Sequence, residues 1–154
     1  MTTTTTIQNR KARFRFFLYE KFEAGIALLG CEVKSIREGR VNLSDSFVRV
    51  MKNEAFLFNC HITTYSKIQG YTDIDPIRIR KLLLNRAELQ VLEVKMSQKG
   101  FSIVPLQMYF KKGKVKVEIA LAKGKKLLDK REDIKRRMHD RESAAAVKQH
   151  RRNT

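Results

Sequence analysis

The sequence contains few of the residues on which small disulfide-rich or membrane proteins depend. It has two cysteines, two prolines and no tryptophan in 154 residues. Two cysteines cannot form a disulfide framework, which predicts a reducing compartment. The longest apolar runs, such as 26–29, fall far short of the roughly 20 residues that a membrane span needs. The first residues, MTTTTTIQ, have neither a charged n-region nor an apolar h-region, so we expect no signal peptide and a cytoplasmic protein.

Signatures of enzymatic chemistry are also missing. The sequence has no Walker motif, no GxGxxG and no GxSxG. Cys60 and His61 are adjacent, so on a strand they would point to opposite faces and could not bind one metal together. Cys31 is interpreted as a small buried hydrophobe, and His139 and His150 as solvated residues of a polar tail. We therefore expect no enzyme, no cofactor and no metal.

Excess positive charge is the strongest signal in the composition. The chain has 33 Lys+Arg against 16 Asp+Glu, a formal net charge of +17. A small domain stays soluble with a net charge of only about 2 to 8, so an excess this large indicates a polyanionic partner. An anionic membrane is the second candidate, but no continuous basic amphipathic helix with aromatic anchors supports it. The charge therefore predicts a nucleic-acid-binding protein that does not act at a membrane.

The last 31 residues differ from the rest in composition. Residues 124–154 carry 11 Lys+Arg and 5 Asp+Glu and no aromatic residue, so their net charge is +6 against +11 for residues 1–123. Such a segment buries too little apolar surface to offset its ordering entropy, which predicts a tail that is disordered when free. Leu127, Ile134, Met138 and Ala145 nevertheless recur at helical spacing. Two interpretations stay open: a solvated basic tail, or a segment that becomes helical on RNA.

The residues before the tail have the patterns of β-strands. A Phe-, Tyr- and Ile-rich run predicts one long strand over 14–29, interrupted at Gly25. A hairpin is predicted from 46–50 and 54–59. The last hairpin pairs 101–110, where Pro105 implies a bulge or an edge, with a strand of alternating apolar and charged residues. The inward residues of that last strand are predicted to be Val115, Val117, Ile119 and Leu121.

Two helices are predicted between the strands. The first covers 31–38 and is ended by Gly39. The second begins after Asn85, whose capping box is completed by Glu88, and ends before Gly100. Its core-facing stripe is predicted to be Leu84, Ala87, Val91 and Val94, with Leu84 packed on Leu89.

The pattern as a whole predicts a mainly β protein with short helices, an OB-like β-barrel with peripheral helices. The predicted organisation is a flexible N-terminus over 1–8, an RNA-binding barrel over 9–123 and a basic C-terminal tail over 124–154. OB-type barrels often bind nucleic acid, which agrees with the charge.

The order of short motifs is more informative than any one of them. NRKAR stands at 9–13, FEAGI at 22–26, EVKS at 32–35 and VNLSDSF at 41–47. They are followed by DP at 75–76, RKLLL at 80–84, VPL at 104–106, GKK at 124–126 and DKR at 129–131. This series closely resembles the SmpB family, the SsrA-binding proteins of bacterial trans-translation. The resemblance is continuous over residues 9–131 and extends to the tail in character.

The resemblance implies a non-enzymatic protein that binds the tRNA-like domain of transfer-messenger RNA (SsrA RNA), near its D-loop and elbow. It implies delivery of that RNA, with elongation factor Tu and GTP, to ribosomes stalled without a stop codon. The tail would enter the empty mRNA channel, become helical and contact small-subunit rRNA at the decoding centre. The stalled peptide would then be tagged for degradation and the ribosome released. The alternative is another ribosome-associated OB-like protein that binds rRNA or tRNA without tagging.

The resemblance also implies which residues act. The RNA-binding positions fall on Asn9, Arg10, Lys11, Arg13, Glu23, Leu83, Gly124, Lys125 and Lys126. The decoding-centre positions fall on Leu128, Asp129, Lys130, Arg131, Lys135, Arg136 and Arg137. Leu128 departs from the family, which often has His or an aromatic residue there, and Met138 stands where a Trp is frequent.

Structural alternatives stay open for each of these positions. Asn9 could cap a first helix, Glu23 could form a surface ion pair, and Leu83 could be a core or helix-entry residue. The lysines could supply general electrostatic attraction only, and residues 129–131 could be a solvated charge cluster.

Overall fold

The structure is a computed structural model that describes residues 5–63 and 74–152, with the side chains of Leu127 and Leu128 left out. The chain divides into two compact units, Met1–Gly124 and Lys125–Thr154. This boundary falls one residue after the change in composition that the sequence shows.

The first unit is mainly β with short helices, as predicted. Its described strands are β1 (Ile7–Gln8), β2 (Phe16–Ile26), β3 (Val41–Asn42), β4 (Phe47–Met51), β5 (Glu54–Phe58), β6 (His61–Ile62), β7 (Arg80–Leu83), β8 (Phe101–Lys111) and β9 (Lys114–Gly124). Its described helices are α1 (Arg10–Arg15), α2 (Gly30–Arg37) and α3 (Arg86–Met96), and the second unit contains α4 (Leu127–Arg152).

Strand pairing closes the main sheet on itself. The order is β1-β8-β4-β5-β7-β2-β9, and β9 also pairs with β8, so six antiparallel strands form a ring. β1 is added at β8, where Ile7 pairs with Met108 and Gln8 with Gln107, so the predicted flexible N-terminus does not extend through residue 8. A closed ring leaves its six strands without free edges, which suits a barrel scaffold.

Alternation along the strands fills the barrel. Val117 and Ile119 are fully buried, Leu121 is 2% exposed and Val115 is 8% exposed, which confirms the predicted inward face of β9. The β8–β9 register shifts between Pro105 and Gln107, so the predicted bulge is also confirmed. The core includes side chains from most of the strands and from α2 and α3, which fixes the outward face of each strand as well.

The first long strand differs from its prediction. Residues 10–15 form α1, so β2 begins only at Phe16, and it ends at Ile26. Its irregularity lies between Leu18 and Lys21, whereas Gly25 pairs regularly with both neighbouring strands. The strand prediction covered part of α1 because Phe14 matches the β-rich pattern that follows it, whereas the alternative of a first helix capped by Asn9 is confirmed.

The buried face of α3 also differs from its prediction. Leu92 is fully buried and Leu89 and Met96 are partly buried, whereas Val91 is 39% and Val94 62% exposed. The prediction of the core-facing stripe was therefore wrong: the buried positions of α3 lie about one residue further along the sequence than the predicted ones. Apolar residues occur on both candidate faces, and the face with the larger side chains is the one that packs. The predicted cap is present, since the Asn85 N–H donates to the Glu88 carboxylate at 3.1 Å.

The second unit is dominated by one helix of 26 residues, Leu127–Arg152. Ile134, Met138 and Val147 are about half exposed along it. A helical conformation agrees with the spacing of the apolar residues in the tail. Whether the free tail is disordered stays a prediction.

Candidate RNA-binding surface

Asn9 connects α1 to the barrel. Its side-chain amide donates to the carbonyls of Leu43 at 3.0 Å and Pro105 at 2.9 Å, and its Oδ1 accepts from the Ala12 N–H at 3.2 Å. Only 4% of the residue is exposed. Both amide hydrogens and the oxygen are therefore engaged within the protein, and the interpretation as a helix cap describes Asn9 better than a direct RNA contact does.

The basic residues that follow Asn9 lie on the outside. Ala12 is buried with Val104, Ala120 and their neighbours on the outer side of β8 and β9, where small side chains allow α1 to approach closely. This packing turns the exposed residues Arg10, Lys11 and Arg13 away from the barrel. Three cations on less than two helical turns are suited to contact phosphates, which position an RNA without reading its sequence.

Glu23 lies on the outward face of β2, between the buried residues Phe22 and Ala24. The Tyr109 hydroxyl donates to its carboxylate, and the Lys111 ammonium lies 3.2 Å from Oε1. The hydrogen bond from Tyr109 and then that from Lys111 lower the pKa of Glu23 below its ordinary value. Burial, followed by the Glu23 carboxylate, raises the pKa of Tyr109 to about 12.

Glu23 is consequently ionised and Tyr109 protonated at neutral pH. The surface ion pair that sequence reasoning left open is therefore present. The Glu23 side chain is still 37% exposed, so it remains accessible to a hydrogen-bond donor from outside.

Leu83 shares this outward face with Glu23. It pairs directly with Gly25, two residues along β2 from Glu23, and it is 55% exposed whereas its neighbour Leu82 is 2% exposed. A Cβ on Gly25 would lie 3.2 Å from the Leu83 Cβ, so the glycine leaves the space that the leucine occupies. The structure thus brings Glu23 and Leu83 together and excludes a core position for Leu83.

A cleft of about 370 Å³ adjoins Leu83 between the β4–β5 turn and the start of α3. Its lining residues are Asn53, Glu54, Lys81, Leu82, Leu83, Leu84, Asn85 and Leu89. Its lining combines apolar side chains with amides and charged groups. No sequence pattern indicated this cleft, because its residues come from separate segments.

A buried ion-pair network anchors the strand that carries Leu83. Arg80, with a fully buried side chain, donates to Glu32 Oε2 at 2.6 Å and to the Cys60 carbonyl at 2.7 Å. Arg78 also pairs with the Glu32 carboxylate. Burial alone would raise the pKa of Glu32, but the hydrogen bonds from Arg78, the Leu29 N–H and Arg80 lower it. This network was not predicted from the sequence. A signal was available, because Arg80 stands two residues before Leu82 on one strand and so shares its buried face, where an arginine needs an internal partner.

Both cysteines are free and buried, and the burial of Cys31 agrees with its interpretation as a small buried hydrophobe. Burial raises the pKa of the Cys60 thiol to about 11, so it is not a thiolate at neutral pH. Within residues 5–63 and 74–152, no three His, Cys, Asp or Glu side chains are grouped to hold a metal ion. The helices of that same part are too short or too polar to cross a membrane.

The second unit contains most of the predicted tail positions. The Lys126 N–H donates to the Asp129 carboxylate at 3.3 Å at the start of α4, and Lys130 and Arg131 follow in its first turns. Lys125 and Arg136 both pair with Asp133. The hydrogen bond from Lys125 lowers the pKa of Asp133.

The other predicted positions at the end of the barrel and in the tail are located as follows. Gly124 ends β9 in the first unit, Lys135, Arg136 and Arg137 are exposed on α4, and the Leu128 side chain lies outside the described residues.

Comparison with known proteins gives a consistent result. The model of the family described as "SmpB protein" matches residues 6–149. An "SsrA-binding protein" of Trichodesmium erythraeum is 53% identical over 142 residues, which cover 92% of this chain and 91% of that protein. An "SsrA-binding protein" of Syntrophobacter fumaroxidans is 55% identical over 135 residues, covering 88% and 83%.

A solved structure agrees with these relatives. A chain from the work described as "tmRNA-SmpB: a journey to the center of the bacterial ribosome" is 46% identical, with a TM-score of 0.67 over 79% of this chain and 85% of that one. The family match covers well over half of the chain, and the two relatives exceed 50% identity over most of it. Fold, motif order and sequence similarity together establish that this chain belongs to the SmpB family.

Proposed function

We propose that this chain is an RNA-binding protein, not an enzyme, that binds transfer-messenger RNA and takes it to stalled ribosomes. The observation that carries the proposal is that relatives more than 50% identical to this chain over the aligned residues are named SsrA-binding proteins. The net charge of +17 supports a polyanionic partner of this kind.

The first unit supplies the surface for the tRNA-like domain of that RNA. Arg10, Lys11 and Arg13 contact phosphates, while the buried side chain of Asn9 holds their helix in place. Glu23 accepts hydrogen bonds from base-edge amino or imino groups, since a carboxylate on a phosphate-binding surface has no use as a phosphate contact. Leu83, exposed beside Gly25, packs against an unpaired base.

The second unit acts at the ribosome in this proposal. Gly124, Lys125 and Lys126 contact the RNA where the chain leaves the barrel. The tail then occupies the empty mRNA channel and reaches small-subunit rRNA at the decoding centre. The residues proposed to act there are Leu128, Asp129, Lys130, Arg131, Lys135, Arg136 and Arg137. Elongation factor Tu with GTP completes the delivery complex, and the process takes place in the cytoplasm.

Glu23→Gln tests the barrel surface, with Glu38→Gln as its control. Both substitutions remove one exposed carboxylate that pairs with a cation, since Glu38 lies 3.1 Å from Arg40. We expect Glu23→Gln to weaken binding of the isolated tRNA-like domain about tenfold, the effect of losing one base contact, and Glu38→Gln to leave it unchanged. Equal affinities for the two variants would remove Glu23 from the RNA-binding surface.

Removal of the chain after Lys126 tests the tail. The shortened protein is expected to bind the tRNA-like domain within a few-fold of the full chain but to support no peptide tagging in a reconstituted translation system with stalled ribosomes. Normal tagging by the shortened protein would show that the tail mechanism is wrong.

A further inference from the structure

An aromatic and cationic layer lies on the barrel wall, on strands other than those that carry Glu23 and Leu83. Phe47 on β4 and Phe58 on β5 pair directly across the two strands, with ring centroids 5.3 Å apart and ring planes 3° from parallel. The Arg49 guanidinium carbon lies 5.2 Å from the Phe47 centroid and 5.8 Å from the Phe58 centroid. We call these three residues the β4–β5 layer.

The layer faces outward. Val48 is 1% exposed and Leu57 is fully buried, so their neighbours on β4 and β5 point away from the core. Phe47 and Phe58 are half-buried and Arg49 is exposed. Phe47 and Phe58 are not part of the hydrophobic core of the barrel. The Arg49 guanidinium lies within cation–π distance of both rings.

Aromatic rings beside a guanidinium offer the groups on which an unpaired nucleobase stacks. Bases stack on aromatic rings and on arginine planes whatever their sequence, and the positive charge favours the adjoining phosphate. An apolar protein partner would instead leave the Arg49 charge desolvated without a counter-ion. The charge of the layer therefore favours RNA over protein as its occupant.

Strand register connects the layer to the surface proposed above. Arg49 pairs with Phe56, and Phe56 pairs with Lys81 on β7, two residues before Leu83. All of these side chains alternate with buried ones and so share the outward face. With strands about 4.8 Å apart, Arg49 lies roughly 10 Å across the sheet from the strand of Leu83.

We propose that the β4–β5 layer is a second RNA-contacting surface, which stacks an unpaired base supplied by transfer-messenger RNA or by small-subunit ribosomal RNA. The inference rests on the proposed RNA binding of this chain and adds a site to it. Loss of the layer weakens binding through stacking, not through charge alone.

The test compares Arg49→Lys, which keeps the charge but loses the planar group, with Lys52→Asn, which removes a charge from the turn of the same hairpin. Lys52 has a φ of 49°, a conformation that asparagine tolerates, so the control fits its backbone. Phe58→Leu is the second variant, because it keeps an apolar side chain and removes the ring. Thermal unfolding confirms that each full-length variant is folded.

Affinities are measured for the isolated tRNA-like domain, for protein-free small-subunit rRNA and for intact ribosomes. We expect Arg49→Lys and Phe58→Leu to bind at least one of the two RNAs about five- to twentyfold more weakly, and Lys52→Asn to lose no more than about threefold on any probe. The RNA that shows the loss identifies the source of the stacked base.

Two results would overturn the inference. Arg49→Lys and Phe58→Leu could match Lys52→Asn on both RNAs, or they could weaken binding only to intact ribosomes, which would exclude both RNAs as the source of a stacked base. Failure of the wild-type chain to bind either RNA above the level of an unrelated hairpin would instead refute the proposed function itself.

Discussion

Glu32→Gln is the substitution from which the structure predicts the largest loss of stability. The Glu32 side chain is 4% exposed and accepts hydrogen bonds from Arg78, Arg80 and the Leu29 N–H. A glutamine of the same shape cannot neutralise Arg80, whose side chain is fully buried. Breaking a buried ion pair from one side costs about 3–5 kcal/mol of unfolding free energy. For a protein of this size the melting temperature should fall by roughly 6–20 °C.

Glu38→Gln is the matched control for this loss. Glu38 follows the same helix and pairs with Arg40, but the two side chains are 39% and 51% exposed. An exposed pair contributes about 0–1 kcal/mol, so the control should melt close to the wild type. Urea unfolding followed by NMR of the β7 and β9 amides reports on the first unit without the tail. Equal unfolding free energies for the two variants would refute the reasoning from burial.

The stability that Glu32 contributes through its ion pairs depends on pH with a defined sign. The pKa of Glu32 is lowered in the folded protein, so the unfolded chain binds its proton first as the pH falls. The stabilisation that ionised Glu32 provides is complete above its ordinary pKa of 4.5. It is lost as the pH falls through the lower pKa that Glu32 has in the folded protein. The stability difference between the wild type and Glu32→Gln should therefore be constant at neutral pH and shrink in acid below pH 4.5. A difference that grows in acid would contradict this assignment.

Three further substitutions test individual contacts. Asn9→Asp keeps the cap oxygen but removes the two hydrogen bonds to Leu43 and Pro105. We expect it to lower the unfolding free energy, measured by urea unfolding, by about 2–4 kcal/mol. A loss of less than about 1 kcal/mol would show that these buried contacts are dispensable. Gly25→Ala places a Cβ 3.2 Å from the Leu83 Cβ and should displace the Leu83 side chain. We expect binding of the tRNA-like domain to weaken about fivefold. Gly30→Ala is the control and should leave binding unchanged, because a Cβ at Gly30 would meet open space. Tyr109→Phe removes the largest cause of the lowered Glu23 pKa, so the carboxyl titration measured by NMR should move up towards 4.5, and an unchanged titration would exclude that hydrogen bond.

Much of the fold could be predicted because its signals are local. The β8–β9 hairpin follows from strict alternation, the bulge from Pro105 and the start of α3 from Asn85 and Glu88. The α1 helix was predicted only as an alternative, with Asn9 as its cap, because the contacts of Asn9 with Leu43 and Pro105 that hold this helix on the barrel are far away in the sequence. The prediction of the buried face of α3 was wrong because the sequence of this helix has apolar residues on two faces. Only packing against the barrel determines which of the two faces is buried.

The site was less accessible to prediction than the fold. Family resemblance pointed to Glu23 and Leu83, but only strand register shows that Gly25 brings them onto one face. The β4–β5 layer could not be inferred, because alternating Phe and Val residues indicate a strand without stating which of them faces out. The partner of Arg80 lies 48 residues away, and no local pattern encodes such a separation.

We propose that the charged surface of this chain recognises transfer-messenger RNA and not RNA in general. The most direct test is a competition assay at physiological salt, where non-specific phosphate attraction is weak. Labelled transfer-messenger RNA is displaced by its own unlabelled form, by ordinary tRNA and by an unrelated hairpin of equal length. We predict that the unlabelled form competes at least about a hundredfold better than the other two, a smaller ratio than the roughly thousandfold or more that is typical of specific over non-specific nucleic-acid recognition. Equal competition by all three RNAs would contradict the account and reduce the protein to a general basic RNA binder.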